Sequence, residues 1–253
     1  MTYQQQQFQS NSVRTRYTVI GAGKPLLFLH GGGVNALTYQ HLYQPLSKQY
    51  QVIAPDIPGF GKSTTPSKTW NFQHYANFFQ HFINHLQLED VTLVGHSFGG
   101  GISLSLAVMS QKVSKLVLID SAGLTPNCTR LTFCRRLIKK TYTGFLINKS
   151  VSMDILKDFF KDSIRHWTSM SKVVATVSNS LYHQTVTFES ISQPTYIFWG
   201  NADEVFPKRM AQTLNQLIKN SQLTYVAGNH DWLFFMPQKF SELMSATESN
   251  THS

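Results

Sequence analysis

Short, unbroken apolar runs alternate along the chain with longer stretches in which apolar residues return every three or four positions. The runs occupy residues 25–30, 51–56, 91–95, 115–120, 195–200 and 223–228, and each gives way to Gly, Pro or a polar residue. A strand with one wet face alternates apolar and polar side chains, whereas a strand covered on both faces does not. The runs therefore predict buried strands of a parallel sheet, with residues 17–20 as a further strand near the start. Between them, residues 72–86 set Phe72, Tyr75, Ala76, Phe79, Phe82, Ile83 and Leu86 along one helical face. Residues 100–109 and 210–218 read the same way. Such alternation predicts an α/β chain, a mostly parallel sheet with helices on both sides.

One interval breaks the rhythm. After Asp120-Ser121-Ala122-Gly123 the chain runs for about 70 residues before the next strand, far beyond an ordinary connection. Residues 131–146, 151–160 and 167–181 read as helices. The expected organisation is a core of residues 1–122 and 190–253 with a helical cap of residues 123–189 inserted above the sheet. Phe133, Leu137, Phe145, Phe159 and Trp167 would then face the strand ends. Each alone reads more simply as packing, and the insertion as a whole reads as the roof of a pocket.

At 253 residues, with 42% hydrophobic and 13% aromatic content, the chain can bury one large core. Twenty-two Lys and Arg against 13 Asp and Glu give a net charge of +9. The positive charge reads as mostly scattered, the one dense cluster being Arg135, Arg136, Lys139 and Lys140. Without a nucleic-acid signature, that cluster reads as a solvated face, with docking on anionic membranes as an alternative. Cys128 and Cys134 match no metal or redox spacing and are expected as free thiols in a reducing cytoplasm. Residues 1–12 are polar, carry a glutamine run and read as a frayed end. They lack the apolar segment of a secretion signal, and no apolar run is long enough to span a bilayer. The expected partner is a small-molecule substrate, with no nucleic acid, metal or membrane insertion.

In an open parallel sheet, sites form at the carboxyl ends of the strands. The residues at those ends are His30-Gly31-Gly32-Gly33, then 56–63 (Asp-Ile-Pro-Gly-Phe-Gly-Lys-Ser), Ser97, Asp120, Asp203 and His230. Ser97 lies in Gly95-His96-Ser97-Phe98-Gly99, between an apolar run and a helical stretch. A sharp turn there would lift the hydroxyl above the sheet edge. A serine needs a base to become a nucleophile, and a histidine that serves as base needs an acid to fix its tautomer. His230, just past the last strand, suits the first role, and Asp203 the second, with Asp120 as runner-up. His30 is expected to order the glycine loop and His96 to pack beneath the turn. The backbone N–H of Phe98 is one expected oxyanion donor, and Gly32, then Gly33, the other. No Gly-Lys-Ser/Thr closes the glycine loop at phosphate-binding spacing.

Taken together, the order Ser97, Asp203, His230, the His30–Gly33 loop, the 56–63 stretch and the Gly-rich turn at 95–100 resemble the α/β-hydrolase superfamily. The resemblance runs over about residues 18–244. It implies an α/β-hydrolase fold, a mostly parallel sheet of about eight strands with a helical cap after the sixth. It also implies serine-dependent hydrolysis with no cofactor. Carboxylic esters with an apolar acyl or aryl group are the first expectation. Ring-fission diketones cleaved at a carbon–carbon bond are the second, weakened because Val34-Asn35 succeeds the loop where those enzymes often carry Pro-Gly. A haloperoxidase, a thioesterase and a ligand receptor with little turnover are further alternatives. Dehalogenases and epoxide hydrolases of this fold use an aspartate nucleophile, which Ser97 argues against.

Overall fold

All six apolar runs are strands of one sheet in the computed structural model, which describes residues 4–182 and 186–249. In chain order the strands are β1 (Gln4–Ser10), β2 (Val13–Ile20), β3 (Lys24–Leu29), β4 (Tyr50–Pro55), β5 (Val91–His96), β6 (Val113–Ile119), β7 (Thr195–Gly200) and β8 (Ser221–Val226). Their order across the sheet is β1-β2-β4-β3-β5-β6-β7-β8. The pairs β1/β2 and β2/β4 are antiparallel and every other pair is parallel. The central strands β3 and β5 are buried almost from end to end, as their unbroken apolar sequences require. At the margin, β8 departs from that expectation: it is an edge strand, and much of it meets solvent.

The glutamine run corrects the sequence reading. Residues 4–10 pair with β2 from Gln4 opposite Val19 to Ser10 opposite Val13, so this segment is an ordered edge strand rather than a frayed end. Main-chain hydrogen bonds form a ladder whatever the side chains are, and one apolar anchor suffices here. Phe8 is buried edge-on against Phe78 and Phe82 at 5.4 and 5.3 Å between ring centres. The first three residues of the expected frayed end, residues 183–185 of the expected cap and residues 250–253 of the expected core lie outside the described residues.

Helices cover both faces. Against one lie α2 (Phe72–His85), α3 (Phe98–Met109) and α7 (Lys208–Leu217), and against the other α1 (Gln40–Leu46), α8 (Trp232–Phe235) and α9 (Pro237–Ser249). Helix α2 starts where the Asn71 side chain accepts the His74 N–H at 3.1 Å, and it buries the apolar stripe read from its periodicity. The short helix α1 was not expected. It is fixed by its neighbours: Leu42, Tyr43 and Leu46 are buried beside Phe240 and Met244 of α9. Helix α9 is tied to the sheet where buried Lys115 of β6 pairs with Glu248 and donates to the Thr247 carbonyl at 3.1 Å.

Between β6 and β7 lie α4 (Arg130–Ile147), α5 (Lys149–Arg165) and α6 (Met170–Tyr182), close to the predicted helices and longer at α5. Only Asn148 separates α4 from α5, and its side chain caps α5 by accepting the Val151 N–H at 3.1 Å. Buried polar contacts hold this insertion to the rest of the chain. The Asp162 carboxylate accepts the Gly61 N–H at 2.9 Å, His166 Nε2 donates to the Gly61 carbonyl at 3.0 Å, and Thr38 Oγ1 donates to Asp158 at 2.9 Å.

Candidate active site

Strand β5 ends at His96 and helix α3 begins at Phe98, leaving Ser97 alone to make the turn. It does so at φ 52° and ψ −117°, a conformation that strains any residue with a Cβ. Four backbone hydrogen bonds hold it there: Ser97 N–H donates to the Ile119 carbonyl at 3.0 Å, and the Ser97 carbonyl accepts from Gly100 and Ala122 at 2.9 Å and from Gly101 at 3.4 Å. The flanking glycines answer a steric demand. A Cβ on Gly95 would lie 2.6 Å from the Gly99 carbonyl oxygen, and one on Gly99 would run into the backbone of Leu29.

His230, beyond β8, presents Nε2 to Ser97 Oγ at 2.9 Å and Nδ1 to Asp203 Oδ2 at 2.8 Å. The other Asp203 oxygen accepts the N–H groups of Val205 and Phe206 at 2.7 and 2.9 Å. Each acceptor on this carboxylate is thus engaged by a donor, so His230 Nδ1 carries the proton and Nε2 turns its lone pair to Ser97. Asp120, the runner-up, does not reach the histidine in place of Asp203. Its carboxyl is wholly buried beside that of Asp203 and accepts the Gly200 N–H at 2.7 Å. Burial, reinforced by the neighbouring Asp203 charge, raises its pKa well above the ordinary carboxyl range and favours the neutral acid. Asp120, Asp203 and His230 offer ligand atoms within 4.8 Å of one another, the one such cluster among the described residues. Hydrogen bonds from His230 to Asp203 and from backbone N–H groups to both carboxyls knit the group together, leaving Asp120 Oδ2 buried without a hydrogen-bond partner among the described residues.

A second layer, unseen from the sequence, joins the glycine loop to the histidine loop. Gly31 N–H donates to the Tyr39 hydroxyl at 2.9 Å, and that hydroxyl meets His96 Nδ1 at 2.7 Å. His96 Nε2 lies 3.1 Å from the His230 carbonyl, which can only accept, so Nε2 is protonated and Nδ1 accepts from Tyr39. Burial, helped by the nearby His230, lowers the His96 pKa to about 3, so this ring is a neutral strut. His30 does what was expected of it: Nδ1 donates to the Gly31 carbonyl at 2.7 Å, and Nε2 accepts the Ile57 N–H at 2.8 Å. Asp231 follows His230 directly in the chain. It is buried and pairs with Lys140 of α4 at 2.8 Å. Burial opposes its ionisation, but Lys140, His230 and His96 outweigh that cost and its pKa falls.

Gly32 sits against Phe98, its Cβ position 3.5 Å from the Phe98 side chain. Gly33, at φ 81°, lies further out against the Phe159 ring of α5. Ser97, Phe98, Gly32 and Gly33 all line a cavity of about 1090 Å³. Its walls come from the sheet side (Phe60, Phe206) and from the insertion (Phe133, Leu137, Val173, Leu181), and they are mostly apolar. Phe133, Leu137 and Phe159 face the cavity as expected, while Trp167 points to solvent. Arg130, at the exposed start of α4, is the one Lys or Arg in the lining among the described residues.

Comparison with known proteins bears on this arrangement. A model of the alpha/beta hydrolase fold matches residues 24–148. The chain is 30% identical over 240 residues to the 2-hydroxymuconate semialdehyde hydrolase of Pseudomonas sp. strain CF600, covering 83% of this chain and 81% of that one. Among solved structures, a serine hydrolase involved in carbazole degradation superposes with a TM-score of 0.82 at 25% identity, over 98% of this chain and 99% of that one. A thermophilic esterase from Thermogutta terrifontis gives 0.80 at 17% identity, over 99% and 100%, a likeness of fold.

Proposed function

The chain belongs to the alpha/beta hydrolase family, and from that membership we propose a serine hydrolase that works through an acyl-enzyme on carboxylic esters with an apolar acyl or aryl group. The observation that carries the reading is the unbroken line of contacts from Ser97 Oγ through His230 to Asp203. Ser97 is the nucleophile and His230 its general base. Asp203 holds the Nδ1 tautomer and stabilises the imidazolium as it forms. Ser97 Oγ attacks the ester carbonyl while its proton passes to His230 Nε2. The Phe98 N–H and the Gly32 N–H take the oxyanion, Gly32 rather than Gly33 because only the former lies against Phe98. His230 then returns the proton to the leaving alkoxide, and water, deprotonated by the same ring, releases the acid.

The insertion, taken as a cap, supplies the apolar acyl or aryl side of the cavity. Relatives named for 2-hydroxymuconate semialdehyde and for 2-hydroxy-6-oxo-2,4-heptadienoate favour carbon–carbon cleavage as a second reading. A dienoate carries a carboxylate, which calls for a cation within the pocket. Among the described residues the one Lys or Arg of the lining, Arg130, is an exposed residue, so the ester is the better match. The unpaired thiols of Cys128 and Cys134 are in keeping with a reducing cytoplasm. Among the described residues no helix is long and apolar enough to cross a membrane.

A fluorophosphonate probe tests the nucleophile. Labelling of the native chain and its loss in Ser97→Ala are expected, with turnover of p-nitrophenyl esters falling by roughly 10⁶-fold. Near-normal turnover in that variant would sink the assignment. A ring-fission diketone cleaved faster than any ester would transfer the reading to carbon–carbon hydrolysis.

A further inference from the structure

Charge and exposed apolar surface coincide on the three-helix insertion. Residues 130–182 contain ten Lys and Arg against three Asp, a net +7 of the chain's +9. The remainder of the molecule is close to neutral. The same segment contributes twelve of the fifteen large apolar side chains that stand exposed among the described residues. On α4, Leu131, Ile138, Tyr142 and Leu146 recur at helical spacing along one outward stripe, and Met153, Phe160 and Ile164 do so on α5. Ile164 and Trp167 are 75% and 76% exposed. Interleaved with them, Arg135, Lys139, Lys149 and Lys172 have no ion-pair partner among the described residues.

We propose that the outer face of α4, α5 and the Trp167 turn docks on an anionic lipid surface, on helices whose inner residues line the cavity at Ser97. Apolar side chains set among cations match the acyl boundary and the charged headgroups of a bilayer together. An indole such as that of Trp167 settles at the same level. A second copy of the chain is a poor occupant, because a self-paired interface would set one cationic face against another. A polynucleotide would engage the cations and leave the aliphatic stripes wet. The contact is peripheral, since no described helix can span the bilayer. Docking stands independently of the catalytic reading; only the further consequence, that the face admits acyl esters from the membrane, rests on it.

The test is co-sedimentation of the full chain with vesicles of phosphatidylcholine alone and of phosphatidylcholine mixed with phosphatidylglycerol. Expected are binding to the mixed vesicles, weakening with added salt, and a blue shift of Trp167 emission that disappears in Trp167→Phe. The double variant Arg135→Gln, Lys139→Gln should bind about thirtyfold more weakly, two cations being removed from the surface potential. The variant Leu146→Ser, Trp167→Ser should weaken binding without changing its salt dependence. Both pairs lie outside the cavity lining, so hydrolysis of a water-soluble ester should be unchanged, which also certifies the fold. Equal binding to neutral and mixed vesicles, or none to either, overturns the proposal. So does a self-association that the same variants abolish, or capture by a polyanion without capture by lipid. Vesicle binding without any ester turnover would retain the docking surface and sink the hydrolase reading.

Discussion

Two carboxyl groups meet behind one histidine, and their surroundings assign them different work. Asp203 is met by the His230 Nδ1–H and two backbone N–H donors, while Asp120 lies buried at its side and is pushed toward the neutral acid. Asp203→Asn should therefore lower kcat by on the order of 10⁴-fold through the wrong histidine tautomer, whereas Asp120→Asn, which keeps an uncharged acceptor for the Gly200 N–H, should cost less than about tenfold. Parallel kcat measurements check both. A raised pKa means that the folded state binds the Asp120 proton more tightly than the unfolded chain. Its contribution to stability is complete below the unfolded value, about 4, and is lost as pH rises toward the folded value. Urea unfolding of Asp120→Asn should accordingly show a stability gain over the native chain that grows from pH 4 upward. The positions of Ser97, Asp203 and His230 were legible because a parallel sheet delivers its strand ends to one edge. Tyr39 and the Lys140–Asp231 pair were not: nothing in the sequence says that a tyrosine after β3 will reach under the Ser97 turn, or that a lysine of α4 will descend to the histidine loop.

The Lys140–Asp231 ion pair and the bond from Asn229 to Thr143 at 3.2 Å clamp α4 to the loop that carries His230. Lys140→Met would leave Asp231 buried and uncompensated, one residue from the proposed base. We expect a loss of roughly 3 kcal/mol in unfolding free energy, most of it recovered by adding Asp231→Asn. Asp231 has a lowered pKa, so its contribution is present above the unfolded value and fades as pH falls through the folded one. Chemical denaturation of the four species at pH 7 and pH 3 should show the coupling shrink in acid. Helices were legible where a stripe of apolar residues recurs, as in α2. The first strand was not, because a ladder asks nothing of its side chains and seven residues with one phenylalanine carry no alternation.

Across the molecule, the mostly parallel sheet and the helices on both faces agree with run lengths and spacing, as does the long helical interval after β6, whereas the order of the strands across the sheet was not written in them. The uneven distribution of charge was also there to be counted. It escaped because the cations look dispersed when read along the chain, and their excess emerges only when the insertion is weighed against the rest.

The backbone of Ser97 has an energetic consequence that extends to the entire fold. A φ of 52° with a ψ of −117° belongs to glycine, and the side chain is retained there against its own preference. Ser97→Gly should therefore melt higher than the native chain, gaining about 1 kcal/mol at the midpoint in calorimetry, while losing the proposed esterase activity. In a molecule whose total margin is on the order of 10 kcal/mol, a tenth of its resilience is then surrendered to keep one hydroxyl poised.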